Sequence, residues 1–247
     1  MKRRILLLCL ILNSTSAIAF LNIEALRQSK VSDGLSGSTR LDLNQQKGNV
    51  DKTVLSFSTL NQYKKLKSSF LLMAAYQYGE SFSELDNRRG HLHFRYTYAL
   101  RKETFLEFFQ QSEFNKFQDL KSRLLIGGGL RQELFKRNSL SFFSGLGLFY
   151  EKEKIEGQRN LENPRGNLYL SFLKELEGRY SISSTFYYQP NIERLSDSRV
   201  RFSLGLETTF AKNFTQSIEF SLNRDSLPPT GINRTDSQIS AGLGVRY

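Results

Sequence analysis

The chain has 247 residues, with 35 Lys and Arg against 24 Asp and Glu, a formal charge of +11, and 20 Phe and 11 Tyr but no Trp. Mean hydropathy is −0.42, and after the N-terminal segment no apolar run approaches the roughly 20 residues of a membrane helix, which excludes a helical membrane protein. The basic balance suits a nucleic-acid binder, but the charge is spread over strand positions and short turns, and an export signal argues against that class.

That signal opens the chain. Met1-Lys2-Arg3-Arg4 is basic, Ile5 to Leu12 is apolar, and Ala17-Ile18-Ala19 follows the small-x-small rule for cleavage after Ala19. Eight apolar residues are too few to cross a bilayer. The residues before Cys9 are leucines, not the small residue a lipidated cysteine requires. Cleavage would take the only cysteine with it and, by removing Lys2, Arg3 and Arg4, lower the charge from +11 to +8. The reading is therefore a secretory signal peptide over 1–19, an N-terminal periplasmic segment over 20–34, and an outer-membrane β-barrel over 35–247.

Beyond residue 34 the alternation predicts strands at 35–45, 51–63, 68–79, 90–100, 104–115, 121–135, 140–151, 166–176, 180–189, 199–210, 214–225 and 236–247. Most run about 9–12 residues, the length a tilted strand needs to cross the apolar layer. Leu92, Phe94, Tyr96 and Tyr98 oppose His91, His93, Arg95 and Thr97. Val200, Phe202, Leu204 and Leu206 oppose Arg199, Arg201, Ser203 and Gly205. The segments 68–79 and 166–176 alternate poorly. Short turns at 101–103, 136–138, 177–179 and 211–213 alternate with longer polar loops near 80–89, 116–120, 152–165, 190–198 and 226–235. An outer-membrane barrel shows this asymmetry. The fold expected is all-β, a single antiparallel up-and-down transmembrane barrel of about 12 strands. If the short turns are periplasmic, both termini are periplasmic too.

The chain closes on a strand. Ile239, Ala241, Leu243, Val245 and Tyr247 share one face, and Ser240, Gly242, Gly244 and Arg246 the other. Ser240, Gly242, Val245 and Tyr247 resemble the C-terminal sorting signal read by the barrel-insertion machinery. That machinery and periplasmic chaperones are the expected partners during assembly, with outer-membrane lipid and lipopolysaccharide afterwards. No nucleic acid is expected.

The inward faces carry both charge signs. The lumen-facing charges expected are Arg95, Glu107, Arg123, Arg131, Glu151, Arg201, Glu207, Glu219 and Arg246, with Arg40, Asp42 and Glu133 among the same crowd. A hairpin turning at residue 137 places Gly127 opposite Gly147 and Gly129 opposite Gly145, and sets Arg123 against Glu151 and Arg131 against Phe143. The four glycines then form an inward patch without side chains, which marks either a bend or the close approach of another group. Long side chains from the facing wall, such as Arg201 or Arg95, are expected to lean into it.

Asn22-Ile23-Glu24 with Arg27, Asp33-Gly34-Leu35-Ser36-Gly37, His93-Phe94-Arg95-Tyr96 and Glu107-Phe108-Phe109-Gln110-Gln111 form a specific combination. So do Asn115, Arg123 through Arg131, Leu227-Pro228-Pro229-Thr230-Gly231 and Thr235-Asp236. With these the chain resembles the salt-induced outer-membrane protein family, a bacterial group of unassigned function. The resemblance implies an outer-membrane barrel and no known activity. With no Trp, any aromatic girdle must be built from Tyr and Phe.

Three constellations in the sequence bear on chemistry. His91 and His93 share a face but lack a third metal ligand at matching spacing. Serines are plentiful, yet none is paired by motif with a histidine and an orienting third group, which leaves a lipid hydrolase as a remote alternative. Gly127-Gly128-Gly129 lies within a strand and precedes no helix, so it is no phosphate cradle. The expectation is therefore no enzyme and no cofactor, and the role expected is a structural or stress-related envelope protein. The alternative is a narrow channel for small solutes or ions, leaning towards anions.

Overall fold

The computed structural model describes residues 33–46, 52–81, 84–116, 119–157, 160–176, 178–211, 213–228 and 233–246. The signal segment with Ala17 and Ala19, the segment before residue 33, and Tyr247 lie outside them.

Twelve strands follow in order: β1 Gly34–Gln46, β2 Lys52–Lys65, β3 Ser68–Ser81, β4 Glu84–Ala99, β5 Thr104–Asn115, β6 Leu120–Arg137, β7 Leu140–Ile155, β8 Leu161–Leu176, β9 Tyr180–Pro190, β10 Ser198–Thr209, β11 Phe214–Asp225 and β12 Thr235–Arg246. Each pairs antiparallel with its sequence neighbour, and β1 pairs with β12, so the sheet closes on itself. Closure, here through three residue pairs, joins the two edges that an open sheet would leave for lipid to meet.

Alternation divides the side chains. Leu92, Phe94, Leu146, Leu148, Leu204, Leu206, Ile218 and Leu243 stand exposed on the outer face. Their strand neighbours His91, His93, Arg95, Phe149, Gly205, Glu219 and Gly242 point into the lumen. A large exposed apolar face is untenable in water and suited to acyl chains. Exposed Tyr76, Tyr78 and Tyr150 border this face towards one end, and Tyr63, Phe210 and Phe214 towards the other. Tyr and Phe thus occupy the interfacial positions where Trp is commonly found.

The ends differ. At the end carrying the termini, the connections are brief, as at Leu66-Lys67 and Asn138-Ser139, where Asn138 takes φ 51° at little cost. At the opposite end β7 and β8 run on to Ile155 and back from Leu161. The loop expected over 152–165 is therefore mostly strand and shrinks to 156–160. The two poorly alternating segments are strands as well. In β3 the lumenal residues Leu71, Met73 and Ala75 are themselves apolar, so both faces read alike.

The β6–β7 register differs from expectation. The turn is Asn138-Ser139 between Arg137 and Leu140, and a bulge lies between Glu133 and Phe135. Gly127 consequently faces Phe149, Gly129 faces Gly147, and Arg131 faces Gly145. Arg123 faces Glu153 rather than Glu151, and Phe143 faces Glu133. The cause is that β6 continues to Arg137, two residues beyond its expected end, which moves the hairpin axis.

Candidate functional site

The lumen is the only enclosed polar surface among the described residues, and two side-chain networks cross it. The first lies over the glycines. Tyr169 on β8 extends across Gly145, where an added Cβ would fall 2.1 Å from its Cε1 and 2.2 Å from its Cζ. Its hydroxyl donates to Glu107 Oε2 on β5 at 2.8 Å, and Arg95 Nη1 reaches the same oxygen at 3.2 Å. Arg131 lies 4.1 Å from the centroid of the Phe143 ring and 5.8 Å from that of Tyr169. The group leaning into the patch is thus Tyr169 from the adjoining strand, not Arg95 or Arg201 from the facing wall. Gly129 and Gly147 serve another purpose. A Cβ at Gly129 would fall 2.4 Å from the Leu146 carbonyl oxygen, so the backbones of β6 and β7 approach where no side chain fits.

Beside this network the histidines are held in place. His93 Nε2 accepts from Arg95 Nε at 3.3 Å, so Nδ1 carries the hydrogen donated to Gln111 Oε1 at 3.1 Å. His91 stands opposite Glu113 and lies 3.3 Å from its Oε2. Among the described residues no three His, Cys, Asp or Glu side chains are grouped to hold a metal.

The second network fills the lumen towards the end opposite the termini. Arg165 on β8 is 2% exposed and Glu151 on β7 is 0% exposed. Arg165 Nε donates to Glu151 Oε1 at 2.9 Å, and its Nη2 donates to Asp197 Oδ1 and Oδ2 at 2.9 and 3.1 Å. Asp197 ends the β9–β10 connection, whose start is shaped by Asn191 Oδ1 accepting from the Glu193 and Arg194 amides. Arg199 on β10 donates to Glu151, to Glu153 Oε1 at 2.8 Å and to Asp225 Oδ2 at 2.9 Å. Arg123 on β6 binds Glu153 and, at 2.6 Å, Glu113 Oε1. Arg201 comes within 3.8 Å of Glu113. In the ring order β10 is three strands from β7 and five from β5, so the arginines of β10 form chords across the lumen, not rungs along the wall.

The remaining sequence-derived charges lie elsewhere. Glu207 and Arg246 pair with each other near the terminus-bearing end. Glu219 is buried beside β12 and has Arg40 as its countercharge. Ser240 and Gly242 face inward and Val245 outward. Sequence reasoning missed Arg165, Asp197 and Tyr169. For Arg165 the usable signal was parity with Asn167, Tyr169 and Ser171, but the residue sits at the edge of the polar 152–165 stretch, next to Pro164, a residue uncommon inside strands. Asp197 offered none, since a loop carboxylate reads as solvated.

Solved structures show similar folds. The translocator domain of the autotransporter NalP from Neisseria meningitidis is 13% identical, with a TM-score of 0.52 over 91% of this chain and 92% of that one. A NanC porin structure is 9% identical, with a TM-score of 0.50 over 86% and 99%. A KdgM porin is 10% identical, with a TM-score of 0.46 over 86% and 99%. No curated protein matches by sequence. The salt-induced designation finds no support in these comparisons, whereas a barrel of the outer-membrane kind does. Residues 40–247 match the family described as "Protein of unknown function, DUF481", and the chain belongs to that family.

Proposed function

We propose that this protein is an integral bacterial outer-membrane barrel whose role is structural, a closed element of the envelope rather than an open pore. The observation that carries this reading is the set of chords from Arg199 and Arg201 to Glu151, Glu153 and Glu113, which cross the lumen. An aqueous passage would have to separate these opposite charges, and at the buried pairs of Arg199 with Glu151 and Glu153 each separation strands a desolvated ion. In this reading the chain is exported by residues 1–19, the 240–247 tail directs insertion, and the termini with the short turns face the periplasm. Lipid and lipopolysaccharide surround the outer face. A stress-related role fits the same architecture.

A narrow channel is the second reading, favoured by the fold likeness to the NanC porin. Arg95, Arg123, Arg165 and Arg199 each pair with a carboxylate, which works against the anion preference expected from a positive lumen. Liposome swelling separates the readings. Vesicles holding the folded protein should admit small sugars no faster than protein-free vesicles, while a porin run alongside admits them. Rapid sugar entry would overturn the structural reading.

A further inference from the structure

The closing seam differs from every other strand junction. All thirteen residues of β1 pair with β2, but only Ser38, Thr39 and Arg40 pair with β12, opposite Arg246, Val245 and Gly244. Beyond Arg40, the described backbone of β1 to Gln46 and of β12 back to Thr235 shows no pairing between the two edges.

The inner and outer sides of this slot have opposite chemistry. Outside, Leu41 and Leu243 are each 62% exposed, and Ile239 is exposed beside them. Inside, where the pairing stops, lies the Arg40 guanidinium. Arg40 is 4% exposed, its Nε donates to Asp42 Oδ1 at 3.2 Å and its Nη1 to Ser217 Oγ at 2.8 Å. Its Nη2 is buried and has no hydrogen-bond partner. The guanidinium and Asp42 Oδ1 lie over Gly242, where a Cβ would fall 1.9 Å from Nη2 and 2.2 Å from Oδ1, so a larger residue there would displace them. One step further along β12, Ser240 stands opposite Glu219 of β11. Glu219 is 7% exposed and accepts no hydrogen bond from a described residue.

A slot that is apolar outside and offers inside a buried guanidinium N–H without a hydrogen-bond partner and a buried carboxyl group suits one kind of molecule. We propose that the seam between β1 and β12 binds a phospholipid with a zwitterionic phosphoethanolamine head. Its phosphate lies on Arg40 Nη2, its ammonium on Glu219, and its acyl chains pass out between Leu41 and Leu243. Charge-assisted hydrogen bonds of both signs distinguish this head from an anionic glycerol head, which leaves Glu219 opposed. They distinguish it also from a choline head, whose methylated nitrogen cannot donate. The inference goes beyond the structural role and requires only that the barrel sits in a bilayer.

The test uses the mature chain folded in detergent micelles, with folding verified by heat-modifiable gel mobility, a readout independent of lipid. Native mass spectrometry after incubation with equimolar phosphatidylethanolamine, phosphatidylglycerol and phosphatidylcholine should find one phosphatidylethanolamine retained in preference. Arg40→Gln should lower phospholipid retention about tenfold, and Glu219→Gln should abolish the preference for the ethanolamine head. With Leu41→Cys and Leu243→Cys combined, added phosphatidylethanolamine should slow disulfide formation across the seam. Equal retention of the three lipids by the wild-type protein indicates annular lipid only and overturns the proposal. So does preference for phosphatidylglycerol, or disulfide formation at the same rate with and without lipid.

Discussion

Replacing Arg165 with Met keeps most of the side-chain length and removes the charge at the centre of the second network. Two carboxylates lose a partner, but unequally. Glu151 keeps Arg199 and, at 3.7 Å, Arg123. Among the described residues, the Asp197 carboxylate keeps Asn191 Nδ2 at 3.4 Å and the exposed Arg194 at 3.5 Å. Breaking a buried ion pair from one side costs about 3–5 kcal/mol, most of it the penalty of the stranded charge. Since only Asp197 is stranded, Arg165→Met should destabilise the barrel by about 3 kcal/mol. Adding Asp197→Asn removes the stranded charge and should recover roughly half of that loss. Urea unfolding in phospholipid vesicles, followed by circular dichroism and heat-modifiable mobility, measures both values. A loss below about 1 kcal/mol in the single variant, or no recovery in the double variant, would refute the reasoning.

Other consequences follow from the same geometry. Gly145→Ala should expel the Tyr169 ring and cost at least the ~1.5–3 kcal/mol of its hydrogen bond to Glu107. In a Tyr169→Ala background that cost should disappear, and a double-mutant cycle in vesicle unfolding without such coupling would disprove the contact. Leu204→Arg places a charge on the lipid face and should cost roughly 2–4 kcal/mol if it lies near the bilayer midplane. Ser203→Arg, on the lumenal face of the same strand, should be milder. Comparable folding yields into vesicles for the two would remove the inside–outside assignment.

The barrel was legible because a wall between lipid and lumen imposes alternation on nearly every residue. All twelve strands are found, and most of their ends fall within a few residues of expectation. The departures have physical causes. The 68–81 strand hid because Leu71, Met73 and Ala75 make its lumenal face apolar. The 161–165 stretch hid because it ends the polar 152–165 stretch and holds Pro164, a residue uncommon inside strands. Register across β6 and β7 depended on a two-residue turn and a bulge at Glu133/Phe135, which no hydrophobic pattern encodes. Lumenal charges were legible one strand at a time, since parity gives the face. Their partners were not. The bonds of Arg199 to Glu151 and of Tyr169 to Glu107 join residues 48 and 62 apart in sequence. Both contacts depend on how the wall curves. The glycines left a bend and a close approach equally open and could not name Tyr169 as the group approaching.

The most direct test of the closed lumen is single-channel recording in planar bilayers, comparing the wild-type protein with an Arg199→Ser/Arg201→Ser variant. The wild-type barrel should insert without discrete conductance steps, and the variant, lacking the chords from β10, should show them. Stable steps of equal size from both proteins would contradict the account, because the lumen would then conduct whether or not the arginines cross it.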